Sequence, residues 1–206
     1  MQVEVWSDIV CPWCYIGNLR LKKAIAQLDD PAAVSVRTRS FELDPFATEV
    51  PRPNIEYLSE KYAVSQEQAG EMDGRIAALA EAEGASFVFP RPVANSFNLH
   101  RVVWLAREFD AGEQLFDRLQ FEHFGAGADV FGVDELVAYA GEFGIPEQRV
   151  REVLAGKEFT DEVRADEAEA RQIGVSGVPF AVLERKWAIP GAVATESYLD
   201  ALKKIS

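Results

Sequence analysis

The sequence predicts an α/β protein in which a small sheet is built from both ends of the chain around a large all-helical insertion. Residues 1–44 have the pattern strand–helix–strand, and residues 160–206 have the pattern helix–strand–strand–helix. Residues 45–159 between them have mostly helical patterns. Since neither end has enough strands for a complete sheet, the two ends are expected to meet in one discontinuous domain.

The first segment predicts a β-α-β unit. Gln2–Ser7 alternates polar and apolar residues, which is typical of a strand. Residues 15–30 carry apolar side chains at mostly helical spacing and stop before Pro31. Residues 34–43 form a second strand pattern, so the two strands are predicted to run parallel.

The middle segment predicts a series of helices separated by Gly and Pro. Ser65 with Gln68 forms a capping-box pattern at the start of a helix that ends near Gly84. Further helices are predicted over residues 98–108, 113–124, 134–143 and 146–154.

The last segment completes the sheet. A helix is predicted over residues 160–173, with Gly174 at its C-terminal end. Residues 178–191 read as two short strands joined by a turn at Arg185–Lys186, and an amphipathic helix follows over residues 195–205.

Composition excludes several classes of function. The 206 residues carry a net charge of −13 and are 48% apolar, enough for a substantial core. The acidic charge disfavours nucleic acid and anionic membranes as partners. The N-terminus lacks a signal-peptide pattern, and no apolar stretch is long enough for a membrane span, so a cytoplasmic protein is expected. The charge itself is interpreted as a solubility feature.

The two cysteines carry the strongest chemical signal. Cys11-Pro12-Trp13-Cys14 lies where the first strand meets the first helix. The free N–H groups of a helix start stabilise a thiolate at Cys11, and Pro12 fits the first helical turn. Cys14 lies one turn further on nearly the same face, so a disulfide is feasible. This pattern predicts Cys11 as the exposed nucleophile and Cys14 as the buried resolving thiol.

Two other interpretations of the pair are weaker. A structural zinc site needs two more ligands, for which the chain offers only His100, His123 and carboxylates, so no metal is expected. The alternative is a pair of buried, inert cysteines. The position between strand and helix favours redox chemistry over both.

The motifs resemble those of thioredoxin-fold proteins. Cys-Pro-Trp-Cys at one end and Val175-Ser176-Gly177-Val178-Pro179-Phe180 at the other resemble the thioredoxin fold, and the helical insertion is similar to the DsbA family. The segments DIVCPWCYIG, RSFELDP and GVSGVPF, with Asn95 and His100-Arg101, resemble the FrnE-like branch. Gly191-Ala192 is followed by Val193 instead of the family's Gln, and a second cysteine pair for an internal relay is absent from the sequence.

The resemblance implies roles for the matching residues. Cys11 corresponds to the attacking cysteine, and Cys14 to the resolving one. Pro179 corresponds to a cis-proline beside the active site, which would direct the backbone of Val178 toward the disulfide and offer hydrogen bonds to an extended substrate. An ordinary proline at the start of a strand is the alternative for Pro179.

Other candidate residues retain two interpretations. Asp8 is either the acid that takes the proton of Cys14 or a cap of the helix at Cys11. Trp13 either tunes the redox potential or covers the disulfide and contacts substrate. His100 is either a wall of the pocket above Cys11 or a polar residue satisfied between helices. Phe97 and Trp104 either line this pocket or belong to the core.

The predicted function is thiol–disulfide exchange. The substrate is expected to carry a disulfide or a dithiol, with no tightly bound cofactor besides the redox-active Cys11–Cys14 disulfide. Electrons would come from glutathione, mycothiol or a thioredoxin-like donor. Alternatives are a thiol-cofactor enzyme resembling 2-hydroxychromene-2-carboxylate isomerases or kappa-class glutathione transferases, which typically carry Ser in place of Cys11, and a non-enzymatic binding module.

Overall fold

The computed structural model describes residues 1–205, and its sheet joins the two ends of the chain as predicted. The strands are β1 (Gln2–Ser7), β2 (Ser35–Ser40), β3 (Arg52–Pro53), β4 (Pro92–Val93), β5 (Phe180–Leu183) and β6 (Trp187–Pro190). The main sheet has the order β2-β1-β5-β6, so the N-terminal strand is central. The predicted end of the second domain segment, Ser206, lies outside the described residues.

The central strand β1 pairs with a different strand on each side. β1 pairs in parallel with β2, from Gln2 opposite Ser35 to Ser7 opposite Ser40. On its other side β1 pairs antiparallel with β5, and β5 pairs antiparallel with β6. A parallel neighbour requires a crossover connection, which the first helix supplies, whereas β5 and β6 need only the short turn between them.

Most helices agree with the predicted ones within a few residues, but the first helix ends five residues earlier than predicted, and the helix over residues 54–62 was not predicted individually. The helices are α1 (Pro12–Ile25), α2 (Asn54–Tyr62), α3 (Gln66–Ala82), α4 (Phe97–Arg107), α5 (Gly112–Gln120), α6 (Val133–Gly141), α7 (Glu147–Ala155), α8 (Thr160–Gln172) and α9 (Thr195–Ile205). The Ser65–Gln68 capping box is present at the start of α3.

The insertion departs from the all-helical prediction in two places. β3 and β4 form a two-residue antiparallel ladder, because Pro-containing segments before α2 and α4 run extended beside each other. The predicted helix over residues 113–124 changes at Phe121 into a π-helical turn, Phe121–Ala126. Such turns are uncommon and often occur at functional sites.

Separate apolar clusters stabilise the sheet and the insertion. Val3, Leu21, Ala181 and Leu202 are buried in the cluster that joins the sheet to α1 and α9. A second cluster joins α4, α5, α6 and α7 within the insertion. None of the helices within residues 1–205 has the length and hydropathy that crossing a bilayer requires.

Candidate active site

The two cysteines lie at the start of α1, immediately after β1. Cys11 is the residue at the N-terminal cap of α1, and Pro12 occupies the first helical turn. Both cysteines are free thiols and both are 1% exposed. The expectation of an exposed Cys11 is therefore wrong, because residues such as Trp6 and Val178 pack with both thiols in one buried cluster.

The two thiols differ in what surrounds them. Cys11 borders a cavity of about 600 Å³, whereas Cys14 borders a separate void of about 20 Å³. The Cys11 thiol donates a hydrogen bond to the Val178 carbonyl at 3.7 Å. The backbone N–H of Asp8 donates to the Cys14 sulfur at 3.4 Å. Substrate access is thus available to Cys11 through the cavity.

Burial strongly affects the acidity of the second thiol. It raises the pKa of Cys14 well above its ordinary value, and the neighbouring Cys11 raises it further. Desolvation penalises the charged form, so Cys14 stays protonated until a reaction step removes its proton. This arrangement suits a resolving thiol that reacts second.

The segment around Pro179 packs directly on the dithiol helix. The Val178–Pro179 peptide bond is cis. A Cβ atom at Gly17 of α1 would lie 2.7 Å from Pro179 Cγ, so the glycine allows the helix and the proline to approach closely. An isolated glycine in a helical pattern is a sequence signal for such an approach, although our sequence reasoning assigned no role to Gly17.

Asp8 is fully buried, but its carboxylate serves the local backbone. Its Oδ2 accepts a hydrogen bond from the Leu43 N–H at 2.7 Å, and its Oδ1 accepts from the Val10 N–H at 3.3 Å. His100 Nε2 lies 3.3 Å from Asp8 Oδ1. The helix at Cys11 has no side-chain cap, so the capping alternative does not describe Asp8. Asp8 contacts Cys14 through its backbone N–H group, which donates a hydrogen bond to the Cys14 sulfur.

The predicted site residues divide into two groups. Asp8, Cys11, Pro12, Trp13 and Val178 all border the large cavity. The expected pocket role of the second group, Phe97, His100 and Trp104, does not match their positions, because they lie on α4 on the far side of Asp8.

Phe97 and Trp104 each have a partner, whereas His100 Nε2 has no hydrogen-bond partner within residues 1–205. Arg164 lies 4.3 Å over the Phe97 ring, and Trp104 Nε1 donates to Ser40 Oγ at 3.2 Å. His100 is buried beside Asp8, as described above.

The cavity also gathers polar residues that sequence reasoning did not select. Arg91 Nη1 donates to Asp73 Oδ2 at 3.0 Å, and Asn54 Nδ2 also donates to Asp73. His123 of the π-helical turn borders the same cavity. Their partners are distant in sequence, so no local spacing marks them. Among residues 1–205, no group of three or more His, Cys, Asp or Glu side chains is placed to hold a metal ion.

The chain matches the model of a known protein family. The model of the DSBA-like thioredoxin domain matches residues 2–203. The chain belongs to this family. The DSBA-like chain is 41% identical to a probable DsbA oxidoreductase from Streptomyces coelicolor, covering 99% of this chain and 89% of that one, with a TM-score of 0.93.

More distant solved structures share the fold of this DSBA-like chain. The cytosolic disulfide reductase DsbM from Pseudomonas aeruginosa, solved with glutathione, is 16% identical over 100% of this chain and 98% of its own, with a TM-score of 0.66. A 2-hydroxychromene-2-carboxylate isomerase is 16% identical over 100% of this chain and 96% of its own, with a TM-score of 0.75. The same fold thus occurs in proteins described as reductase and as isomerase.

Proposed function

We propose that the protein is a thiol–disulfide oxidoreductase in which Cys11 attacks and Cys14 resolves. The observation that supports this proposal is the difference between the surroundings of Cys11 and those of Cys14. Cys11 lies at a helix N-terminus beside a cavity of about 600 Å³, while Cys14 is sealed and its pKa is raised. Exchange requires one thiol that reaches the substrate and a second that attacks the mixed disulfide from within.

The surrounding residues have defined roles in this proposal. The Val178 carbonyl accepts from the Cys11 thiol, so the cis-proline segment holds the nucleophile on the cavity side. A substrate would displace the weak hydrogen bond between the Cys11 thiol and the Val178 carbonyl, and would then contact the backbone of Val178. Trp13 is 46% exposed at the cavity, where it would contact the substrate beside the sulfur atoms. Asp8 would act as a positioning residue that fixes the loop before Cys11.

Electron partners and location extend the proposal. With a disulfide substrate, a low-molecular-weight thiol such as glutathione or mycothiol, or a thioredoxin-like protein, would reduce the Cys11–Cys14 disulfide after each turnover. With a dithiol substrate, the disulfide form of that partner would reoxidise the pair. We place the protein in the FrnE-like branch and in the cytoplasm, where such thiols are abundant and keep cysteines reduced. The substrate is a disulfide or dithiol, and neither nucleic acid nor a membrane takes part.

The decisive experiment compares single cysteine variants in the reduction of a protein disulfide by dithiothreitol. Wild-type protein should accelerate the reaction, and Cys11→Ser should reduce it to the uncatalysed rate. Cys14→Ser should instead accumulate a mixed disulfide with the substrate, visible as a mass increase under non-reducing conditions.

The same variants test the isomerase alternative. That chemistry would use a bound thiol cofactor and needs no protein nucleophile at residue 11. An inactive wild-type protein, or full activity in Cys11→Ser, would overturn the redox proposal. Isomerisation of a 2-hydroxychromene-2-carboxylate by Cys11→Ser in the presence of glutathione would then support the second class.

A further inference from the structure

The cavity beside Cys11 has the size and lining of a small-molecule site. Its volume of about 600 Å³ lies within the range found for pockets that bury small ligands. It is bordered by the start of α1, the segment after β2, α2, α3 and residues 91–96. Its apolar lining includes Val10, Leu43, Leu58, Met72, Ile76 and Leu79.

One polar cluster of the lining is a buried ion pair, and Asp44, Lys61 and Arg75 border the cavity elsewhere. The Asp73 carboxylate accepts from Arg91 at 3.0 and 3.4 Å, and Asn54 donates to the same carboxylate. The Asn54 amide oxygen accepts from the Arg91 backbone N–H at 2.9 Å. Each of the three residues is at most 6% exposed. In this cluster Arg91 Nε has no partner within residues 1–205, but a charged ligand group would have to compete with Asp73 for the guanidinium, so an uncharged polar group fits better there.

His123 supplies unused hydrogen-bonding capacity beside this pair. Its side chain borders the cavity, it is 1% exposed, and its Nδ1 atom has no hydrogen-bond partner within residues 1–205. Burial, and secondarily the charge of Arg91, lower the pKa of His123 well below its usual range. The ring is therefore neutral at physiological pH and offers one donor and one acceptor. Buried polar atoms without partners are uncommon and indicate a missing one.

We propose that the cavity takes a small organic disulfide with an apolar, preferably aromatic, body and an uncharged hydroxyl or amide group that hydrogen-bonds His123. This inference rests on the proposed function and names its substrate class. Such a molecule would place its apolar body between α2 and α3 and its sulfur atoms at Cys11. The polar group would meet the imidazole, which lacks a partner within residues 1–205.

The reaction balances with the dithiol as the only reductant. The Cys11 thiolate attacks one sulfur of R–S–S–R, a bond forms from Cys11 to that sulfur, and the other half leaves and takes a proton from water. Cys14 loses its proton to solvent and attacks Cys11, which forms the Cys11–Cys14 disulfide and releases the second R–SH. The substrate gains two electrons, and the protein loses two.

The test measures the second-order rate at which reduced protein reacts with three disulfides. The probes are bis(4-hydroxyphenyl) disulfide, diphenyl disulfide and oxidised glutathione. Aromatic thiols leave faster than glutathione, so the probes differ in intrinsic reactivity. Each rate is therefore divided by the rate at which dithiothreitol reacts with the same probe. We expect both aromatic probes to exceed glutathione disulfide. The hydroxylated probe should exceed the plain one by about fivefold, a factor typical of one net hydrogen bond.

Two variants make the test specific. His123→Phe should abolish the rate ratio between the hydroxylated probe and diphenyl disulfide, and His123→Gln should retain part of that ratio. Met72→Trp, which narrows the cavity from α3, should slow both aromatic probes more than it slows glutathione disulfide. If His123→Phe does not fold, the rates of His123→Gln and Met72→Trp test the proposed substrate class.

The outcomes separate this inference from the proposed function. Reaction with glutathione disulfide or a protein disulfide, without any aromatic preference, overturns the substrate class alone. An aromatic preference that Met72→Trp leaves intact also overturns it. Failure to react with all disulfides overturns the oxidoreductase proposal itself.

Discussion

Two regions of the molecule bury charge in different ways. Where α8 packs on the sheet, Arg39 of β2 contacts Glu4 at 2.8 Å, Asp166 at 2.7 Å and Glu169 at 2.9 Å. Beside Cys11, the Asp73–Arg91 pair borders the cavity and leaves Arg91 Nε without a partner within residues 1–205. We call these the sealed side and the cavity side.

Asp166 accepts several hydrogen bonds on the sealed side. Asp166 of α8 accepts from Arg39 and from the Ser40 N–H at 2.9 Å, and its backbone carbonyl accepts from Trp6 Nε1 at 2.8 Å. One helical residue thereby joins α8 to both β1 and β2. Buried polar networks whose members are paired rigidify a structure, and this one supports the strand from which the dithiol emerges.

The difference shows how the same residue types perform different tasks. Where buried charges pair with several protein groups, they fix the position of secondary-structure elements. Where polar atoms border a cavity and some lack partners, buried charge and a neutral imidazole leave capacity for a ligand.

The largest expected effect comes from breaking the sealed side. Arg39→Ala should lower the free energy of unfolding by about 3–5 kcal/mol, because Asp166 remains buried without its cation and Glu4 keeps only Arg185. Urea denaturation measures this directly. Arg185→Ala is the matched control, since its exposed guanidinium contacts the same Glu4 and should cost only about 0–1 kcal/mol. Equal losses in the two variants would contradict a position-fixing network.

A smaller loss is expected on the cavity side. Arg91→Met should lower the free energy of unfolding by about 2 kcal/mol, because Asp73 loses a buried partner but still accepts from Asn54. Arg151→Met, which removes an exposed arginine paired with Asp134 and Glu147, serves as control and should change stability much less than Arg91→Met. A loss as large as that of Arg39→Ala would remove the distinction between the two sides.

The smallest effect concerns pH and Cys14. Its folded pKa is raised above the ordinary 9.0. Above that pH, the unfolded thiol therefore loses its proton while the folded thiol keeps it, and stability decreases as pH rises. The reduced protein should lose about 1 kcal/mol between pH 9 and pH 10 relative to Cys14→Ser, in urea titrations at each pH. Parallel curves for the two proteins would show that Cys14 is not sealed.

Much of the fold was predictable because it follows from local patterns. Alternation in Gln2–Ser7, the capping box at Ser65 and the turn at Arg185–Lys186 each depend on neighbours in sequence. The structure confirms the parallel β1–β2 pair and the union of both chain ends in one sheet. The short β3–β4 ladder was missed, because two-residue strands have no periodicity to detect.

The site was predictable only where residues are close in the chain. Cys11, Pro12, Trp13 and Cys14 form one motif, and Val178 and Pro179 resemble a family pattern. The placement of Phe97, His100 and Trp104 was not predictable, since a helix can turn any of its faces toward a cavity. Residue type alone also failed to distinguish His123, which borders the cavity, from His100, which lies beside Asp8.

The sequence by itself determined the chemistry: two thiols one helical turn apart at the start of a helix, within a chain whose ends form one sheet. Tertiary structure alone decided the environment of each thiol. Burial, cavity shape and the pairing of Asp73 with Arg91 depend on contacts between segments far apart in the chain. Desolvation and hydrogen bonding act through those contacts, so they decide which sulfur meets a substrate and which stays sealed.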